Sequence, residues 1–158
     1  PDTRDANLAY VEAVAREVAA PGKPVVVGEF GWYGGGSLPI RNGQRTREAS
    51  GQDQANWCAG LIDVTRGLAT GWLNWGMYDQ PEATDVSALT GLLAADGEMK
   101  AWGERFHSLA EDVTTGSLPR SVGSRPAFEW DRSITDMDTA REYRIAYTAA
   151  FRTGGGAR

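Results

Sequence analysis

Cysteine, histidine and lysine are almost missing from this chain: 158 residues contain one Cys, one His and two Lys. A lone cysteine, Cys58, excludes an intrachain disulfide, and its place inside a helical pattern suits a small buried core residue. One Cys and one His leave no ligand set of the zinc type. His107 follows Phe106 in a helical stretch, away from any strand end, which disfavours a Ser-His-Asp triad and predicts a surface position. Lys23 precedes a strand and Lys100 belongs to a helical stretch, so a Schiff-base lysine at a strand tip is disfavoured. Gly34-Gly35-Gly36 is not followed by the Lys-Ser/Thr pair of a phosphate loop. No metal or cofactor is therefore expected.

Basic charge is also scarce. Sixteen Lys and Arg stand against 21 Asp and Glu, for a net charge of −5. The basic patch that nucleic acid or an anionic membrane surface would require is not present in the balance. No apolar run approaches the roughly 20 residues of a membrane span. Hydrophobic content of 41% supports a packed core, and the length suits one domain.

What the chain does have is alternating helical and strand patterns. Leu8, Val11, Val14, Ala15 and Val18 mark a helix over about 3–20, closed by Pro21-Gly22. Val25-Val26-Val27-Gly28-Glu29-Phe30 reads as a buried strand, and 34–51 as a long polar loop carrying Arg41, Arg45 and Arg47. A helix follows over about 52–69, with Trp57, Leu61, Val64 and Leu68 on one face. The next strand spans 72–78. Met99, Trp102, Phe106, Leu109 and Val113 give the clearest helical stripe. A linker-like stretch covers 114–126. A last helix is expected from a capping box at Ser133-x-x-Asp136, burying Met137, Ala140, Tyr143, Tyr147 and Phe151. This order implies a parallel sheet covered by helices. Two strands are too few to bury those helices, which predicts a piece of a larger α/β fold; a start at Pro1 directly before a helix fits that expectation.

Chemistry concentrates at the two strand tips. Val25, Val27 and Glu29 share one strand face, and an acid ending an apolar face needs a hydrogen bond, a partner or a task. Glu29 is thus either a catalytic carboxylate or a solvated end residue paired with an arginine of the 41–47 loop. The second strand delivers Trp75 and, just beyond, Asp79. An indole at a strand tip suits stacking on the C–H face of a sugar ring, although an isolated tryptophan is more often core. Trp32 and Tyr33, in the glycine-rich stretch after Glu29, are candidates for lining the same site, and Asp79 for bonding a sugar hydroxyl. Glu82 and Asp85 are weaker candidates. Asn74, Trp57, Trp72 and Trp102 are expected to be structural.

Three phrases resemble the C-terminal part of the clan A retaining glycoside hydrolases, family 5 (cellulases and mannanases) in particular. They are Lys23-Pro24-Val25-Val26-Val27-Gly28-Glu29-Phe30-Gly31, Gly71-Trp72-Leu73-Asn74-Trp75-Gly76-Met77-Tyr78-Asp79, and Gly91-Leu92-Leu93-Ala94-Ala95-Asp96-Gly97-Glu98-Met99-Lys100. The resemblance covers about residues 5–113. It implies an α/β fold that is part of a (β/α)8 TIM barrel: the last helix of unit 6, units 7 and 8, and a C-terminal helical tail. By domains, 1–113 would be the barrel portion, 114–126 a linker, and 127–158 a tail without an assigned role.

The same resemblance implies retaining hydrolysis of β-glycosidic bonds, with Glu29 as nucleophile and Trp75 as the floor under the reacting sugar. The clan's acid/base glutamate follows an asparagine, and no Asn-Glu pair occurs in this sequence. Retaining hydrolysis requires two carboxyl groups about 5–5.5 Å apart. The chain alone is therefore expected to be inactive, with strands one to six supplied by upstream sequence or another chain. The expected partner is a carbohydrate, and the family implies secretion. The competing expectation is a non-catalytic carbohydrate-binding or scaffold homologue.

Overall fold

The computed structural model of the chain describes residues 2–114 and 123–154. They form α1 (Asp2–Ala19), β1 (Val26–Phe30), α2 (Gly51–Thr65), β2 (Gly71–Asn74), α3 (Ala101–Thr114), α4 (Trp130–Ser133) and α5 (Met137–Thr153). These elements fall into two compact units. One comprises 1–25, 63–70 and 119–158; the other comprises 26–62 and 71–118.

The second unit carries the sheet. β1 and β2 pair in parallel, with Val26 opposite Gly71, Val27 opposite Trp72, and Phe30 opposite Asn74 after an irregularity. β2 stops three residues after Gly71, short of the predicted 72–78, and Gly76 at φ +92° turns the chain soon after it. The sheet has two strands and no more among the described residues. The expected barrel portion is therefore not formed. The architecture is mixed α/β around one parallel pair, and each strand keeps an edge that is unpaired among the described residues. A further reason is that α1, read as a barrel helix, packs against α5 in the other unit's own helical cluster.

Helix ends follow local chemistry. α2 begins in a capping box built by Ser50 and Asp53. Ser50 donates its N–H and hydroxyl to Asp53 Oδ2, both at 2.8 Å, and Asp53 N–H returns a bond to Ser50 Oγ at 3.1 Å. These bonds, led by the Ser50 N–H, hold the Asp53 carboxyl below its ordinary value. α2 ends at Thr65, before Gly67 at φ +81°, rather than running to 69. α3 places Trp102 and Leu109 in the core, while Met99 and Val113 are exposed.

In the first unit, α5 starts one residue after Asp136, not at Ser133. The Asp136 carboxylate accepts from the N–H groups of Asp138 and Thr139, both at 3.2 Å. Tyr147 and Phe151 are buried as expected, but Met137 is 84% exposed, as are Val14 and Val18 of α1 to a lesser degree. Residues 115–122 of the linker-like stretch lie outside the described residues. The remainder of that stretch is engaged. Arg125 Nε meets Glu12 Oε1 at 2.6 Å with both side chains buried, and Tyr147 donates its hydroxyl to the same oxygen at 2.9 Å. Arg125 also donates to Ala150 O at 3.0 Å. Residues 123–154 are thus latched onto α1 by a neutralised buried pair, so the tail is a structural part of this unit. Burial first, then the Glu12 carboxylate, pushes the Tyr147 phenol well above its ordinary value.

Candidate functional site

The tips of the parallel pair bring together the segments that carry Glu29, in β1, and Trp75, just past β2. Phe30 O accepts from Trp75 N–H at 2.7 Å, which continues the ladder one residue past Asn74. Phe30 turns inward, against Trp102 and Phe106 with ring centroids 6.0 and 6.2 Å away. The residue before it, Glu29, is exposed. Its carboxylate makes no hydrogen bond or ion pair among the described residues. Of the arginines in the 41–47 loop, Arg45 is not its partner: it donates Nε to Ser37 Oγ at 2.8 Å, and a second guanidinium N–H to Ser37 O.

Trp75 is 45% exposed and held in orientation, because its Nε1–H donates to Ser87 Oγ at 3.0 Å. Ser87 is held in turn by Asp85, whose carboxylate accepts the Ser87 N–H at 2.8 Å and lies below its ordinary value because of that bond. Asp85 is thereby a loop-ordering residue. Asn74 is fully engaged: its amide donates to Trp75, Gly76 and Thr90 carbonyls, and its Oδ1 accepts from Trp102 Nε1 at 2.8 Å.

Asp79 is drawn into the frame behind these tips. Lys100 Nζ lies 2.9 Å from both its oxygens, with the two side chains only 10% and 12% exposed. Lys100 also donates to Gly34 O at 3.1 Å and Leu89 O at 3.0 Å, and Asp79 Oδ1 accepts the Gly91 N–H at 2.8 Å. One ammonium therefore ties the loop after β1 to the loop after β2. The Gly91–Lys100 phrase delivers that ammonium: Leu93 bridges Tyr78 and Met99, and Gly97 turns the chain at φ +90°. Gly91 is required by space, since a Cβ there would lie 2.3 Å from Asp79 N.

Trp32 and Tyr33 are placed together, but with Trp57 rather than with Trp75. Trp32 stacks on Trp57 with centroids 4.8 Å apart and 17° between planes, and on Tyr33 at 5.4 Å and 28°. The Tyr33 hydroxyl donates to Arg47 O at 2.8 Å. This stack shores up the long loop, which is an irregular antiparallel hairpin: Gly36 bridges Ala49, Pro39 bridges Arg45, and Thr46 N–H donates to Leu38 O at 2.8 Å. Cys58 is fully buried, and burial pushes its thiol up to about 12. His107 is exposed on α3 beside Glu111 at 3.6 Å.

Among the described residues, no group of three or more His, Cys, Asp or Glu is arranged to hold a metal ion, and no helix is long and apolar enough to cross a membrane. Lys100, Ser87 and Ser37 were not singled out from sequence as site-building residues. The signal for Lys100 was available, as one of two lysines, set at the end of the Gly-Leu-Leu-x-x-Asp-Gly phrase.

No protein-family model, curated protein or solved structure matches this chain.

Proposed function

We propose that the β1–β2 tips form the nucleophile half of a site for retaining hydrolysis of β-glycosidic bonds. The observation that carries this reading is an exposed Glu29, without a hydrogen bond or ion pair among the described residues, next in chain to the Phe30 whose carbonyl accepts from a half-exposed, hydrogen-bonded Trp75. An exposed carboxylate is available as a nucleophile, and an indole held by Ser87 offers a rigid face to a sugar ring. The resemblance of three phrases to clan A hydrolases adds weight to the assignment.

In this reading Glu29 attacks the anomeric carbon as the aglycone oxygen departs, forming a glycosyl-enzyme ester. A second carboxyl group protonates the leaving oxygen, then takes a proton from the water that cleaves the ester. That second carboxyl comes from a segment outside these residues. Asp79, being committed to Lys100, is not assigned a sugar contact, and Trp32 and Tyr33 act through the loop they support.

A second reading has its own observation. The nearby acids Asp79 and Asp85 are both taken up by internal bonds, which fits a carbohydrate-binding surface without hydrolysis. Oligosaccharide binding to the Trp75→Ala and Glu29→Ala variants separates the two from a structural role. Both readings expect affinity to fall about tenfold or more in Trp75→Ala, in line with the 1–3 kcal/mol that base–aromatic stacking contributes elsewhere. Unchanged affinity there, with the fold intact, contradicts both. Turnover abolished by Glu29→Gln, once the second carboxyl is present, favours hydrolysis.

A further inference from the structure

Between the loop after β1 and the loop after β2 lies an open cavity of about 460 Å³ that neither reading above uses. Its walls include Leu38, Pro39, Pro81 and Leu89, and its charged lining residues are Arg45 and Asp79. The size is within the usual range for small-molecule sites, and mostly apolar walls with a few fixed polar groups are their usual make-up.

The two charges are not equivalent. Asp79 is neutralised by Lys100 at 2.9 Å. Arg45 has no carboxylate partner among the described residues. Both of its bonds go to Ser37, from Nε to Oγ at 2.8 Å and from the guanidinium to the Ser37 carbonyl. Those bonds fix the guanidinium plane and leave its other N–H donors uncommitted. The loop around it, 41–48, holds Arg41, Arg45 and Arg47 against a single acid, Glu48, although the chain as a whole is acidic. The cavity walls are built in advance, because Lys100 binds Leu89 O and Gly34 O, and Pro39 bridges Arg45 across the hairpin.

We propose that this cavity is a subsite for a carboxylate-bearing sugar, a uronate unit of the saccharide whose neighbouring unit lies on Trp75. The apolar walls take the ring's C–H face, and Arg45 pairs with the carboxylate through the planar donor edge suited to that group. The inference rests on the carbohydrate reading above and narrows its substrate class to acidic β-glycans. No bond forms or breaks in this step.

The test is equilibrium binding at low salt, by calorimetry, of an aldobiouronic acid (glucuronate joined to xylose), of neutral xylobiose, and of sodium acetate. The acidic disaccharide is expected to bind about tenfold or more tightly than the neutral one, as charge-assisted hydrogen bonds exceed neutral ones. Acetate, lacking the ring, is expected to bind more weakly than the acidic disaccharide. Arg45→Gln should erase the preference, and Arg45→Lys should keep only part of it. Ala88→Trp, which fills the cavity while leaving Arg45 in place, should block the acidic sugar, so the inference does not depend on how the hairpin tolerates losing Arg45. Equal affinity for the two disaccharides, a preference that survives Arg45→Gln, or acetate binding as tightly as the acidic disaccharide overturns it. If both disaccharides bind equally and Trp75→Ala abolishes both, the uronate subsite fails while the carbohydrate reading stands. An Arg45-dependent acidic preference with no role for Glu29 in turnover leaves the subsite standing and removes the hydrolytic reading.

Discussion

Lys100 Nζ sits 2.9 Å from each carboxylate oxygen of Asp79, across 21 residues of chain and almost out of solvent. Removing one member of such a pair strands the other charge. Lys100→Met is therefore expected to destabilise the protein by about 3 kcal/mol or more, since breaking a buried ion pair from one side costs about 3–5 kcal/mol. Urea unfolding measures it. The double variant Lys100→Met/Asp79→Asn should recover part of the loss, because no buried charge is then left alone. A single variant as stable as the parent chain would show that the pair does not hold the two loops.

Gly91→Ala addresses the same frame without touching charge. The added Cβ would meet backbone, at 2.3 Å from Asp79 N and 2.5 Å from Leu93 O, and backbone cannot move aside as a flexible side chain can. A loss of about 3 kcal/mol is expected, the upper part of the usual range for overpacking. Gly97→Ala is the comparison: nothing lies within 4 Å of its Cβ, so only its φ of +90° opposes the change. A cost of about 1 kcal/mol is expected there, as for an L-residue forced into the left-handed region. Thermal unfolding of the two variants should rank them in that order.

Much of this framework was legible in the sequence, for reasons that are local. The α3 stripe placed Trp102 and Leu109 in the core because both lie on the apolar side of a helical period, and Cys58 was assigned to the interior on its residue type. The parallel pair of β1 and β2 followed from two apolar runs separated by a helix. What was not legible depended on the distant pairing of polar groups. Asp79 read as a sugar ligand because nothing in the spacing announces Lys100 as its partner. Trp32 read as a site residue because its stack on Trp57 joins a loop to a helix. The barrel expected from the three phrases failed on the number of paired strands, which phrase-level similarity does not count. Glu12 does not stand out in the sequence, because a glutamate within an apolar stripe signals a partner without saying where that partner lies.

That partner, Arg125, gives a prediction for the other unit. Glu12 Oε1 accepts from both Arg125 at 2.6 Å and Tyr147 at 2.9 Å. Arg125→Met takes the guanidinium away from the buried Glu12 carboxylate, and a loss of about 3 kcal/mol is expected. Limited proteolysis should then release fragments from 123–154 faster than in the parent chain. An unchanged digestion pattern with unchanged stability would contradict the latch.

Alkaline pH should weaken the fold through two groups. The Cys58 thiol is raised from 9.0 to about 12 by burial, and the Tyr147 phenol is raised from 10.0, by burial and then by Glu12. In both, the folded state binds the proton more tightly than the unfolded chain does. Their stabilising contribution is complete below the unfolded values and is lost as pH rises toward the folded ones. Stability should be flat with respect to these groups below about pH 8 and decline above about pH 9–10. Cys58→Ala should reduce the slope from about pH 9 upward. Unfolding free energies that do not change up to pH 11 would contradict the burial of both groups.

The central claim is that Glu29 is a nucleophile at a sugar site. Activated 2-deoxy-2-fluoro-β-glycosides carry their own good leaving group and trap a glycosyl-enzyme ester. The measurement is to incubate them with the chain together with the segment that supplies the second carboxyl, and to map any adduct by peptide mass spectrometry. The account predicts a single label on the peptide containing Glu29, absent in Glu29→Gln. A label on a different carboxylate, or no label across several sugars while oligosaccharide still binds, would contradict it.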